Sequence, residues 1–327
     1  MGRTAIDEAL LSGVNLHAGA EHSDGTFPHN FWISPNGNDG AGNGSFNAPY
    51  LTVRRGIRQT LDGRGDRLIV TPGSYAETID IGSGSTNGGN TNGGYAKRNL
   101  QILGAPGVHN GITQIVGDGA TAAATLRVLS GYLRGFRLAD IELDVTTVTQ
   151  PALHLETDSG EDATATAGSM RFTVQRVSVR SAQPNVGMLF EGATLGDIED
   201  CVLFGPTIGI ALTGSGINLP NDLSFKDIDF ADCVTADIAA VNTATDPTTI
   251  RAVALTNIWF ERMKHRDRGG TPVTNYVNLP AGATYINVNG VDCFWARDVA
   301  DDTLLVLAAD VVFLGHSAAG VESIIGA

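Results

Sequence analysis

The chain has 327 residues, 42% of them apolar, with 41 glycines and a net charge of −14. This length supports a continuous core and the apolar share excludes disorder, while the acidic balance excludes nucleic acid and anionic lipid as main partners. No run reaches the ~18 apolar residues of a membrane span, and the first eleven residues lack the apolar centre of a secretion signal. Cys201, Cys233 and Cys293 are an odd count, which argues against a disulfide framework.

Residues 1–30 differ from the rest. Ile6, Leu10 and Leu11 could line one face of a short helix, and a polar, glycine-rich stretch without clear period follows. The segment is too short and polar to form its own core, so it reads as an extension that gains burial against a partner. His17, His22 and His29 accompany Asp24 there, at a spacing that matches no standard zinc pattern, so no metal or cofactor is expected.

Phe31-Trp32-Ile33-Ser34 reads as a strand, and Pro35 to Gly40 as turn chemistry. Thr52 is a plausible N-cap for a helix carrying Val53, Ile57 and Leu61 on one face, with Gly63 as its stop. Leu68-Ile69-Val70 is a buried strand, closed by Thr71-Pro72-Gly73. The uncharged stretch Gly82 to Gly94 reads as a surface loop.

From about Leu100 a template recurs: apolar-x-apolar-x-x-apolar-x-apolar, two short strands separated by a kink. It runs through Phe136, Leu138, Ile141, Leu143, then Phe172, Val174, Val177, Val179, then Gly196, Ile198, Cys201, Leu203, then Leu223, Phe225, Ile228, Phe230. The fifth copy reads as Val253, Leu255, Ile258, Phe260, and the sixth as Ile286, Val288, Val291, Cys293. Successive third slots lie 24 to 36 residues apart, the drifting period of a solenoid with variable loops. A further apolar run follows most copies, among them Ala152 to Leu155, Val186 to Phe190 and Ile208 to Leu212. Each coil alone cannot bury its inward residues, and stacking coils about 4.8 Å apart pairs every backbone group. The expectation is an all-β chain: one right-handed parallel β-helix over residues 31–327, with an N-terminal capping α-helix over an otherwise exposed sheet edge.

The segments Trp32-Ile33-Ser34-Pro35-Asn36-Gly37-Asn38-Asp39, Ala48 to Val53 and Gly65 to Tyr75 resemble the opening module of pectate-lyase-like right-handed parallel β-helix proteins. The resemblance covers residues 31–79 by motif and the later coils by repeat pattern. It implies the fold. It leaves function open among polysaccharide lyases, glycoside hydrolases, epimerases, phage tailspikes and other virion proteins. The Asn-Thr-Asp, Asp-Asp and Gly-His-Gly motifs that the polygalacturonase-like members carry are missing as a set. Asp301-Asp302 stands near the end without the other two.

Carboxylates supply the candidate chemistry. The position before the third slot gives an outward column of Asp140, Arg176, Asp200, Asp227, Asn257 and Gly290. The position after it gives Glu142, Ser178, Val202, Asp229, Trp259 and Asp292. Asp200, Asp227 and Asp229 are the candidate catalytic residues, since two carboxyls about 5–5.5 Å apart suit a retaining glycosidase. The blander reading is a solvated charge ladder produced by stacking. His154 lies in an apolar strand and reads as satisfied or outward-facing, and the charged run Glu261 to Arg268 reads as a solvated loop.

The function expected is that of a bacteriophage structural protein, a homotrimeric capsid decoration protein or short tailspike. It would be assembled in the host cytoplasm, docked on other virion proteins through Ile6, Leu10 and Leu11, with host-surface polysaccharide as a further partner. A polysaccharide lyase or glycoside hydrolase is the alternative.

Overall fold

The computed structural model describes residues 27–81, 97–105, 112–117, 124–128, 134–145, 151–156, 171–181, 185–214, 219–243, 246–266, 273–295, 305–308, 311–317 and 322–325. The segment 1–26, with Ile6, Leu10 and Leu11, lies outside them, as do the stretch Gly82 to Gly94 and the Asp301-Asp302 pair.

A representative coil shows how the sequence builds the stack. Thr194–Glu199 is the first strand, Asp200 turns the chain, Val202–Phe204 is the second strand, and Ile208–Thr213 is the third. The first two strands of every coil join an 18-stranded kinked sheet and the third joins a nine-stranded flat sheet. Coil-to-coil pairing is parallel, with Gly196 opposite Phe172 on one side and Leu223 on the other. The result is a right-handed parallel β-helix, the hand that parallel crossovers take.

The kink is a backbone event. Asp140, Arg176, Asp200, Asp227, Arg262 and Asp292 all have φ between 51° and 60°, the left-handed region. Each turn keeps its hydrogen bonds across coils: Asp140 N–H donates to Gln175 O (3.1 Å), Arg176 to Glu199 O (3.0 Å), Asp200 to Lys226 O (3.1 Å) and Asp227 to Glu261 O (3.0 Å).

These turns correct the register of the last two template copies. Leu223 pairs with Ile258 and Phe225 with Phe260, so the fifth copy is Ile258, Phe260, Met263, His265. Ile258 in turn pairs with Val288, so the sixth begins Val288, Gly290, Cys293. The strands there are long, Leu255–Glu261 and Tyr285–Trp295, so period-2 alternation fits two registers and only the turn separates them. Ile286, expected inside, is half exposed. The kink column therefore contains Arg262 and Asp292 in place of Asn257 and Gly290. The expected loop from Glu261 is also a turn and strand: Met263 and His265 are buried, Lys264 and Arg266 exposed.

One apolar cluster runs through the stack from Ile33 to Phe313 and includes Phe172, Ile198, Phe225, Leu255 and Val288. Rings stack along it: Phe225 and Phe260 lie 5.1 Å apart at 14°, and Phe260 and Phe313 5.5 Å apart at 29°. Gly290 sits between those last two rings in sequence order. A Cβ there would come within 2.1 Å of Phe313, and one at Gly196 within 2.1 Å of Phe172. The glycine in the template's first slot thus makes room for the ring of the preceding coil. A second cluster, Val186, Leu189, Ile208, Ala211, Ala236, Ala239 and Val241, lies on the outer side of the flat sheet, with Ile250 packed on it. Ile250 belongs to Asp246–Ile250, which pairs antiparallel with Ala236–Thr243.

Both ends differ in detail from expectation. The helix covers Val53–Gln59 only. Thr52 Oγ1 accepts from Arg55 N–H as expected, but Thr60 ends the helix by bonding Ile57 O twice, leaving Leu61 half exposed. Buried Glu77 adds a second cap, accepting from Val53 N–H (2.7 Å) and Arg54 N–H (3.0 Å). At the far end Val311–Ser317 is not left as a bare edge, because Glu322–Ile325 folds back on it antiparallel.

The packing yields a direct expectation. Phe225→Ala should cost about 3–5 kcal/mol in chemical denaturation. Gly196→Ala should cost about 1–3 kcal/mol by overpacking, and Phe172→Leu should recover part of it in a double-mutant cycle. A neutral Gly196→Ala would mean the ring does not occupy that space.

Candidate functional site

The sequence candidates all lie on the outer face of the kinked sheet, and stacking brings Asp200 and Asp227 onto adjacent coils. They do not form a poised acid and base. Arg262 clamps Asp227 through Nε (2.7 Å) and Nη2 (2.6 Å), and this bond holds the Asp227 carboxyl below its usual range. Arg176 holds Asp140 in the same way, at 2.5 and 2.7 Å. Arg266 reaches Asp229 at 2.7 Å. Asp200 sits between Arg176 and Asp227, and its charge acts on both Arg176 and Arg262. The column reads as a ladder of ion pairs, with Asn257 and Asn287 forming a second ladder at the strand starts: Asn257 Nδ2 donates to Asp222 (2.8 Å) and Asn287 Nδ2 to Asn257 (2.9 Å).

Glu142 of the second outward column and His154 come together, each with residues that spacing did not single out, at two sites. The first is beside the kink on the second strand of the early coils. Glu142 and Asp144 share one face of Glu142–Val145, and Gln114 Nε2 donates to both, at 2.8 and 2.9 Å. Asp144 is 7% exposed, and its Oδ1 has no hydrogen-bond partner among the described residues. Burial raises its pKa, and the Arg180 charge lowers it by less.

The second site is on the outer face of the flat sheet. Leu153–Glu156 pairs with Leu126–Val128 on one side and with Val186–Glu191 on the other. Leu153 and Leu155 point into the core, so His154 and Glu156 point out, with Arg127 beside His154 in register and Glu191 beside Glu156. His154 Nε2 lies 3.0 Å from Glu191 Oε2 and 3.8 Å from Glu156 Oε2. Arg127 donates to Glu156 Oε2 through Nε (2.9 Å) and also through Nη2. His154 is 2% exposed, so this face is covered, whereas Glu156 and Glu191 are partly open. The sequence reading of His154 as outward-facing holds, but its carboxylate partners were not legible from spacing. Aligning the third-strand runs of successive coils would have placed Glu156 against Glu191.

The buried thiols are not reactive groups. Burial pushes Cys201 and Cys293 up to about 12, and raises Cys233 well above the ordinary range. Cys233 neighbours Asp237, which meets His265 Nδ1 at 2.5 Å, but Cys233, Asp237 and His265 are all buried. His265 stands in the inward fourth slot, packed 4.4 Å from the Tyr276 ring, so this pair stabilises the interior and faces no solvent.

The strand pairing defines a parallel β-helix, and several solved structures are similar to the chain. A pectin methylesterase from Aspergillus niger matches with TM-score 0.46 and 12% identity over 89% of this chain and 83% of its own. Pectate lyase Pel9A matches with TM-score 0.46 and 12% identity over 88% and 75%, and a GH136 lacto-N-biosidase from Eubacterium ramulus with TM-score 0.46 and 10% identity over 90% and 64%. No family model and no curated protein matches.

Asp144 generates a pH test. Its folded pKa lies above its unfolded value, so the folded chain binds this proton more tightly. The contribution is present below the unfolded pKa and is lost as pH rises through the folded one. Asp144→Asn, which keeps an oxygen for Gln114, should therefore raise the melting temperature at neutral pH and lose that advantage in acid. A variant less stable at neutral pH would show that the buried carboxylate is needed in its charged form.

Proposed function

We propose that this chain is a non-catalytic structural protein of a bacteriophage particle, a capsid decoration protein or short tailspike. It forms a homotrimer, docks on other virion proteins through residues 1–30, and faces host-surface polysaccharide. The observation that carries the non-catalytic part is the ladder. Outward carboxylates that a polysaccharide-cleaving enzyme would leave free are clamped by arginines of neighbouring coils, Arg262 on Asp227 and Arg266 on Asp229. The setting is supported by the distinct N-terminal segment and by the missing catalytic motifs. Exposed Trp259 and Phe294 in the last coils suit a surface that a subunit contact would cover.

The experiment has two arms. Dialysed protein incubated with pectic and capsular polysaccharides should release no new chain ends, and Asp200→Asn and Asp227→Asn should leave particle binding intact. Chains with and without residues 1–30 should both sediment as trimers, and only the longer should bind particles. Sedimentation as a monomer would overturn the trimer, and equal particle binding by both forms would overturn the docking role.

The alternative, a polysaccharide lyase or glycoside hydrolase, is favoured by a specific observation: Asp144, with its raised pKa, beside Glu142 on one strand face. Two carboxyls on one strand face, one of them with its pKa raised by burial, supply the residue types that acid–base glycoside cleavage needs. On this reading the incubation releases chain ends, and either Asp144→Asn or Glu142→Gln abolishes the release.

A further inference from the structure

We infer that His154, Glu156 and Glu191 form a binding site for a divalent transition-metal ion of the zinc class, one that staples two adjacent coils. One donor atom from each residue lies within 4.8 Å of the others. An ion at about 2.0–2.1 Å from imidazole nitrogen and carboxylate oxygen holds its donors roughly 3.3 Å apart in tetrahedral geometry. The separations from His154 Nε2, 3.0 Å to Glu191 and 3.8 Å to Glu156, straddle that value.

The chemistry and burial fit as well. Two carboxylates and an imidazole supply the donor types that a divalent ion of this class takes. Arg127 donates twice to Glu156 Oε2, the oxygen that lies 3.8 Å from His154 Nε2, and would share that oxygen with the ion. An arginine on a ligating carboxylate is the kind of outer contact that fixes a ligand's orientation. His154 is almost wholly buried, and its Nδ1 has no hydrogen-bond partner among the described residues. Glu191 Oε2 can only accept, so His154 Nε2 donates to it at 3.0 Å, and an ion bound at Nε2 would take the place of that proton. Calcium is the poorer fit, because it takes six to eight oxygens and imidazole suits the zinc class.

The position gives the site its role. His154 and Glu156 belong to one coil and Glu191 to the next, paired in register. The cluster also lies where the outer face of the flat sheet changes from polar to apolar: Asp80, Arg127 and His154 are followed in register by Leu189, Ala211 and Ala239. A metal there would lock the coil register at that border, independently of any particle role.

Full-length protein, stripped with chelator and dialysed, is titrated with Zn²⁺ by calorimetry and with Co²⁺ by visible absorption. One equivalent of Zn²⁺ should bind at micromolar concentration and raise the melting temperature. Co²⁺ should give the intense d–d bands of a four-coordinate site. Glu191→Gln, at a partly open position, and His154→Gln should each lose roughly tenfold or more in affinity, the scale of losing a metal contact. Melting in chelator at the wild-type temperature shows that Glu191→Gln is folded. Absence of saturable Zn²⁺ binding overturns the site. So does unchanged affinity in a folded Glu191→Gln, or equal stabilisation by Ca²⁺.

Discussion

A single left-handed residue between two strands sets the geometry of six coils, at Asp140, Arg176, Asp200, Asp227, Arg262 and Asp292. The conformation costs an L-residue about 1–2 kcal/mol. Aspartate tolerates it well and arginine does not, yet Arg176 and Arg262 both adopt it. The stack offsets that cost in two ways. The N–H groups of Asp140, Arg176, Asp200, Asp227 and Arg262 each donate to a carbonyl of the next coil, so these backbone donors are not lost. And because the turn side chains project outward one coil rise apart, opposite charges meet. The order Asp140, Arg176, Asp200, Asp227, Arg262, Asp292 contains one adjacent pair of like charges, Asp200 and Asp227, and an arginine flanks it on each side.

The same stacking decides what the faces can do. Inside, columns of equivalent residues force ring to meet ring, and a glycine appears where two rings compete for one space, as at Gly196 and Gly290. Outside the kinked sheet, the two arginines of the turn column clamp Asp140 and Asp227. Outside the flat sheet, the register that buries Leu153 and Leu155 delivers His154, Glu156 and Glu191 to one spot. Chemistry on this fold is thus a property of columns across coils, which is why carboxylates on one sheet can be structural while those on the other can ligate.

Much of the architecture was legible in the sequence. Phe136 to Phe230 carry the template through four coils with one apolar residue per inward slot, glycine once standing in for a neighbouring ring. The fifth copy was displaced by a slot pair because Val253 and Leu255 also face inward, and the sixth by one slot, since alternation alone could not locate the turn. His265 hid the correct fourth slot, since a histidine satisfied by a buried aspartate does not look like core. The helix was correct in its cap and one turn too long, because the carboxylates that take over its flanking amides, Glu77 and Asp66, lie beyond it in sequence. The metal-ligating trio was invisible for a related reason: Glu156 and Glu191 lie on different coils, separated by a variable loop that no fixed spacing motif can bridge.

The central claim, that the left-handed turn sets the register of the stack, is tested most directly by urea unfolding of Asp200→Gly and Asp200→Val. Both remove the same charge, so their difference isolates the backbone. The account predicts that the glycine variant is at least as stable as wild type and that the β-branched variant falls about 1–2 kcal/mol or more below it. Equal stability of the two variants would contradict it.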